Sequence, residues 1–136
     1  IMEKAFMKQA AEFLADAIRI VDGDRQKTHG DKIKNHLNIS TLWSWYLKRE
    51  VTAYDVAMLM LLLKVARTKT GIYNNDDLVD ACGYASIAAE IAAEIVEKVR
   101  INPGNYADRK KFNYIEYTCT FSSNWIYNYN FYQIQK

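Results

Sequence analysis

Cysteine and histidine are scarce in this chain of 136 residues, and each scarcity removes a class of function. The two cysteines, Cys82 and Cys119, lie far apart without ligand spacing. They therefore point to no disulfide framework and read as reduced thiols of a cytosolic protein. The two histidines, His29 and His36, stand seven apart with no Cys or Glu at ligand spacing, which argues against zinc. A Gly-rich phosphate fingerprint and a Ser-His-acid arrangement are both missing, and Cys82 has no sequence-near activator. No apolar run is long: Val56 to Leu63 holds eight residues between Asp55 and Lys64, against the roughly 20 that a bilayer span needs. It reads as a core helix, and no membrane is expected as partner. The net charge of +2 is too small to call for nucleic acid. The opening Ile1-Met2-Glu3-Lys4 is charged and runs into an amphipathic pattern, so no signal peptide is expected. There is no internal repeat, and no charge run implies disorder.

What is present is helical periodicity followed by an aromatic tail. Phe6, Ala10, Phe13, Leu14, Ala17 and Val21 recur at spacings of three and four, predicting a helix over 2–21 that stops at Gly23. A polar hinge, Gly23 to Asp31, follows. Ile33, Leu37, Trp43, Tyr46 and Leu47 then suggest a second helix over about 31–48, with Asp31 as its N-cap. Thr52-Ala53-Tyr54-Asp55 reads as a capping box opening a third helix over 52–68. That helix is apolar all round, hence central in the bundle or covered by a second subunit. A fourth helix, 75–99, opens on Asp76 and Asp77 and ends at Asn102-Pro103-Gly104. Its alanines allow close helix approach, and Gly83 suggests a contact too tight for a side chain. Residues 112–121 and 125–134 are aromatic and β-branched around Ser122-Ser123-Asn124, which predicts a β-hairpin. The expected fold is thus mainly α: a four-helix bundle-like domain over 1–100 and a tail over 101–136 whose hairpin packs on the domain or on a neighbouring subunit, so a homo-oligomer is expected.

The hinge carries the most suggestive chemistry. Arg25 offers a planar fork for a phosphate, Lys27 a point charge and His29 a donor that titrates near neutral pH. They precede a helix N-terminus, whose amides and dipole favour an anion. A solvated loop with ordinary caps is the plain alternative. Lys64 and Arg67 end the third helix. An antiparallel fourth helix would bring them near residues 77–84, with Asp80 as natural partner of Lys64, in a structural ion pair or a site. Asp77 and Asp80 could hold a Mg2+ ion, although Asp76 and Asp77 are also explained by the helix dipole. Trp43 and Trp45 point to different sides of their helix, so one is core and the other free to stack on a base or a partner.

Several motifs carry a resemblance. These are Gly23-Asp24-Arg25-x-x-x-His29-Gly30-Asp31, Asn35-His36-x-Asn38-Ile39-x-x-Leu42-Trp43, Thr52-x-x-Asp55-Val56-Ala57, Leu62-Leu63-Lys64-x-Ala66-Arg67 and Asp80-x-x-Gly83-Tyr84. In that order they resemble a family of small phage- and prophage-encoded helical proteins of unknown function, over about residues 1–98. More remotely, the helical plan is similar to the MazG-type all-α nucleotide pyrophosphohydrolases, which hold Mg2+ with Glu-x-x-Glu on one helix and Glu-x-x-Asp on the next. Here only Asp77-x-x-Asp80 matches the second pattern, and Met58 stands three residues after Asp55 where the first would be.

These readings lead to an expected function: binding of a nucleotide or other phosphorylated small molecule in the cytoplasm of a bacterial host, with sequestration of a host defence signal as its expected use. Arg25, Lys27, His29, Lys64 and Arg67 would meet the ligand, with Asp80, Tyr84 and Trp43 in support. One alternative is Mg2+-dependent nucleotide pyrophosphate hydrolysis through Asp77 and Asp80, although the sparse carboxylates weigh against an enzyme. The other is a protein-interaction module that inhibits a host defence enzyme.

Overall fold

The computed structural model describes residues 8–23 and 30–115, and these are helical apart from short connections. Helix α1, Ala10–Asp22, is opened by the Glu12 carboxylate, which accepts from the Gln9 amide at 2.5 Å. It stops at Gly23, where a Cβ would lie 2.1 Å from the Arg19 carbonyl oxygen. Helix α2, Lys32–Leu47, starts as expected: Asp31 accepts from the Lys34 amide at 2.8 Å, satisfying a first-turn donor. It ends at Lys48, in the left-handed conformation at φ 55. The Ser44 hydroxyl then staples the turn, accepting from the Val51 amide at 2.8 Å and donating to its carbonyl at 3.2 Å.

Helix α3, Ala53–Arg67, carries the foreseen capping box: the Thr52 hydroxyl accepts from the Asp55 amide at 3.1 Å, and the Asp55 carboxylate accepts from the Thr52 amide at 2.8 Å. Helix α4 runs from Asn75 to Ile101. The chain divides into two compact units, residues 1–91 and 92–136, with α4 crossing the division.

The core of the first unit is built from small side chains. Its buried apolar residues are Ala17 of α1, Val51 of the turn, Ala53, Val56 and Ala57 of α3, and Val79, Ala81, Ile87, Ala88 and Ile91 of α4. Helix α2 is the exception. It buries His36 and Ser40, while Leu37, Tyr46 and Leu47, which the spacing had marked as its apolar stripe, are half or more exposed. The outward face of α3, with Leu59, Leu62 and Leu63, is likewise exposed.

The second unit corrects the hairpin. Residues 106–115 are helical, so Phe112, Tyr114 and Ile115 sit in a helix rather than a strand; the rest of the expected hairpin lies outside the described residues. The cause is local. The Asn105 side chain accepts from the amides of Ala107 at 3.1 Å and Asp108 at 3.4 Å, an N-cap placed before a run of helix formers. Asp108, Phe112 and Ile115 are the half-buried positions, spaced four and three apart, so helical periodicity governs this stretch. Among the described residues no helix is long and apolar enough to cross a membrane.

Candidate functional site

A cavity of about 370 Å3 opens in the first unit where the end of α1, the start of α2 and the first half of α4 converge. Ile20 and Val21 give it an apolar side. Gly30, Lys32, Asn35 and His36 line it from the chain that enters and forms α2, and Asp80, Gly83, Tyr84 and Ile87 line it from α4. The spacing of the α4 residues, three, one and three, keeps them on one helix face.

Two ammonium groups organise the surroundings. Lys32 Nζ lies 3.1 Å from the Asp22 carboxylate and 3.0 Å from that of Glu90, tying the end of α1 and the middle of α4 to the first turn of α2. The Glu90 hydrogen bond, with the weaker one from Asp22, holds the Lys32 ammonium above its usual pKa against the opposing effect of burial. Lys64 Nζ lies 2.7 Å from Asp80 and 3.8 Å from Asp77, and the three side chains keep only 14, 12 and 15 % exposure. This is the pairing that antiparallel α3 and α4 were expected to make. Asp77 and Asp80 thus share an ammonium as counter-ion, and a divalent cation between them would have to displace it.

His36 is the unusual wall residue. It is 5 % exposed. Its Nδ1 lies 2.7 Å from the Lys32 carbonyl oxygen, and its ring meets Tyr84 edge-on at 6.2 Å between centroids. A carbonyl only accepts, so Nδ1 carries the proton in that bond. Nε2 is buried with no hydrogen-bond partner. A buried polar atom left unpaired costs about 1–3 kcal/mol, so its survival calls for an explanation.

Of the residues singled out from sequence, Asp80 and Tyr84 line the cavity, and Lys64 stands behind Asp80. Asp77 lies one turn from Asp80 and shares Lys64. Arg67 is exposed and makes no ion pair among the described residues, and Trp43 is half-buried on α2 outside the lining. Arg25, Lys27 and His29 lie outside the described residues. Lys32, Asn35 and His36 were not proposed as site residues; His36 was weighed only as a zinc ligand. The Asn35-His36 pair that opens one of the resemblance motifs was the signal that could have found two of the three. Gly83 also reads differently. A Cβ there would meet Val21 Cγ2 at 3.4 Å, a van der Waals contact and not a clash, so the glycine keeps the cavity wall bare.

A protein-family model described as a domain of unknown function (DUF6378) matches residues 12–92, more than half of the chain, and the chain belongs to that family. The match ends within one residue of the division between the two units. The chain is 40 % identical over 84 residues to the Gene 55 protein of Mycobacterium phage D29, a stretch that is 62 % of this chain and 56 % of that protein. It is 43 % identical over 75 residues to the Gene 55 protein of Mycobacterium phage L5, covering 54 % and 48 % respectively. The chain therefore spans about half the length of these phage relatives. A segment of 41 residues is 70 % identical to the 4-hydroxy-3-methylbut-2-en-1-yl diphosphate synthase (flavodoxin) of Leptospira interrogans, which is 30 % of this chain but 6 % of that enzyme. So small a share of the enzyme carries no activity across. No solved structure matches.

Proposed function

We propose that the first unit binds a nucleotide or other phosphorylated small molecule in the cavity between α1, α2 and α4. The observation that carries this reading is the cavity itself, about 370 Å3 and lined by Lys32, Asn35, His36 and Tyr84, large enough for such a ligand. Two features support it. The cavity adjoins the N-terminus of α2, whose dipole favours an anion. Lys32 and Asn35 line the cavity as hydrogen-bond donors, and Arg25, Lys27 and His29 precede Gly30 in the sequence. Lys64, fixed on Asp80, braces the α4 wall. Sequestration of the ligand, as a phage relative could use against a host signal, suits the site better than hydrolysis, because the Lys64 ammonium already stands between Asp77 and Asp80 as their shared counter-ion. A remote MazG-type ancestry would fit the same picture, with an ammonium standing where those enzymes carry a metal.

The test is a thermal-shift panel of nucleotides and sugar phosphates, with and without Mg2+. A ligand present at a hundredfold its Kd should stabilise the fold by about 2.7 kcal/mol, and Arg25→Ala should abolish the shift without unfolding the protein. If no compound in the panel shifts the wild type, the reading falls.

A second reading concerns self-association. Leu62 is 57 % exposed on the side of α3 opposite its buried Ala53, Val56 and Ala57, and Leu59 and Leu63, 45 and 43 % exposed, flank it. A helix apolar on both sides needs a cover on both, and we propose that a second copy supplies the outer one. Light scattering of the full chain should then report a dimer or larger, and Leu62→Glu should return it to the monomer. A wild type that stays monomeric at high concentration removes this reading.

A further inference from the structure

We propose that the outward face of α2 binds single-stranded nucleic acid, with Trp45 and Tyr46 as stacking platforms for its bases and Lys34 and Lys48 as contacts for its phosphates. None of these four residues lines the cavity, so the proposal stands whether or not the cavity holds a ligand. Its first ground is that α2 is built inside out. The helix turns His36 and Ser40 inward, while Lys34, Asn38, Thr41, Leu42, Trp45 and Tyr46 are all exposed. Steps of four, three, one, three and one put these residues on one stripe, and at about 3.6 residues per turn Trp45 stands opposite His36. Leu42, Trp45 and Tyr46 are 65, 69 and 76 % exposed. Polar side chains inside and large rings outside reverse the usual order of a surface helix, and an exposed cluster of that kind marks a binding surface.

The second ground is the chemistry of the stripe, which selects the partner. Between Asp31 and Glu50 the chain has no carboxylate, yet it carries Lys34, Lys48 and Arg49. Among the described residues these three cations make no ion pair, whereas Lys32 and Lys64 are each held by two carboxylates. The Lys48 ammonium lies over the Trp45 ring, 4.8 Å from its centroid, beside the plane on which a base would stack. Free cations next to open rings serve the two repeating parts of a strand, phosphate and base, and that pairing is how proteins hold single strands without reading sequence. A second copy fits poorly, because closing the stripe on itself would set cations against cations with no carboxylate of its own to answer them. A protein interface also fits less well, since lysine is depleted at such interfaces and here it sits on the central ring. The net charge of +2 does not oppose the reading, because a strand meets the local charge of α2 and not the sum over the chain.

Fluorescence anisotropy of the full chain with labelled oligo(dT), oligo(rU) and a DNA duplex, each about 20 nucleotides long, tests this. A single strand should bind more tightly than the duplex, whose bases are stacked away from Trp45, and a preference between the two single strands tells DNA from RNA. Trp45→Ala and Tyr46→Ala should each weaken single-strand binding by roughly tenfold. Trp45→Phe, which restores a ring, should recover part of the loss. Both side chains are exposed, so thermal melts of these variants should match the wild type. Lys34→Ala and Lys48→Ala should each reduce the slope of log Kd against log salt by about 0.7. Lys98→Ala, which removes a cation already paired with Glu94, should leave that slope unchanged. Equal affinity for duplex and single strand overturns the proposal, as does an unchanged affinity in Trp45→Ala. A wild type that binds neither single strand also overturns it, and if that protein floats with phosphatidylserine vesicles the face belongs to a lipid surface instead.

Discussion

Replacing Lys64 by Met tests the electrostatic bracing of the α4 wall most directly. Met keeps most of the aliphatic stem, so the change isolates the charge. At an effective dielectric constant of 20, an ammonium 2.7 Å from a carboxylate gains about 6 kcal/mol of Coulomb energy, and one at 3.8 Å about 4 kcal/mol. Desolvation of three side chains that keep only 12–15 % exposure offsets most of that gross gain. The variant, however, loses the cation and keeps both carboxylates. Removing one partner of a buried pair costs about 3–5 kcal/mol, and the residual water access at these groups places the expectation near 3. In urea, with a slope of about 1–3 kcal/mol/M, the midpoint should fall by roughly 1–3 M. Asp77→Asn, which removes only the longer contact, should cost no more than about 1 kcal/mol. A Lys64→Met unfolding free energy within about 1 kcal/mol of wild type would show that the pair behaves as a surface bridge, and the bracing argument would be wrong.

Three further outcomes are expected. Lys32→Met should cost about 1 kcal/mol, because Asp22 and Glu90 are 66 and 44 % exposed and water screens them. Since Glu90 raises the Lys32 pKa on folding, that contribution is complete below the unfolded value of about 10.4 and is lost only as pH rises through the higher folded value. The difference from wild type should therefore be equal at pH 7 and pH 9 in denaturant melts, and a shrinkage over that interval contradicts the assignment. Gly83→Ala should leave stability unchanged or raise it by up to about 1 kcal/mol, since helix propensity improves and Val21 is met at van der Waals distance. It should at the same time weaken ligand binding by narrowing the cavity; a clear loss of stability would mean that Gly83 serves packing. Thr52→Ala should cost about 1 kcal/mol by thermal melt through loss of the α3 cap, and no change would show the capping box to be redundant.

The residues of the site were partly legible. Asp80 and its pairing with Lys64 followed from two apolar-patterned helices joined by a short turn, which forces an antiparallel pair and juxtaposes their facing ends. His36 did not follow. On α2 the spacing of Ile33, Leu37, Tyr46 and Leu47 suggested one buried stripe, yet the helix turns His36 and Ser40 inward. Opposite α2's first turns, α4 presents Tyr84, and it is the His36 ring that meets it. The aromatic tail misled for a related reason. Its composition favours strands, but the Asn105 cap and the charged run after it act locally on residues 106–115 and set a helical period.

What the sequence by itself determined is what neighbours three or four residues apart can settle. The Asp31 and Thr52 caps, the extent of α3 and α4 and the stop at Gly23 all arise from backbone amides meeting side chains within one turn. Tertiary structure alone decided which face of α2 is buried, that Lys32 is clasped between α1 and α4, and that a cavity of mixed apolar and polar lining lies among three helices. Those outcomes depend on the volume and charge that distant segments bring to one place, a quantity no local spacing encodes.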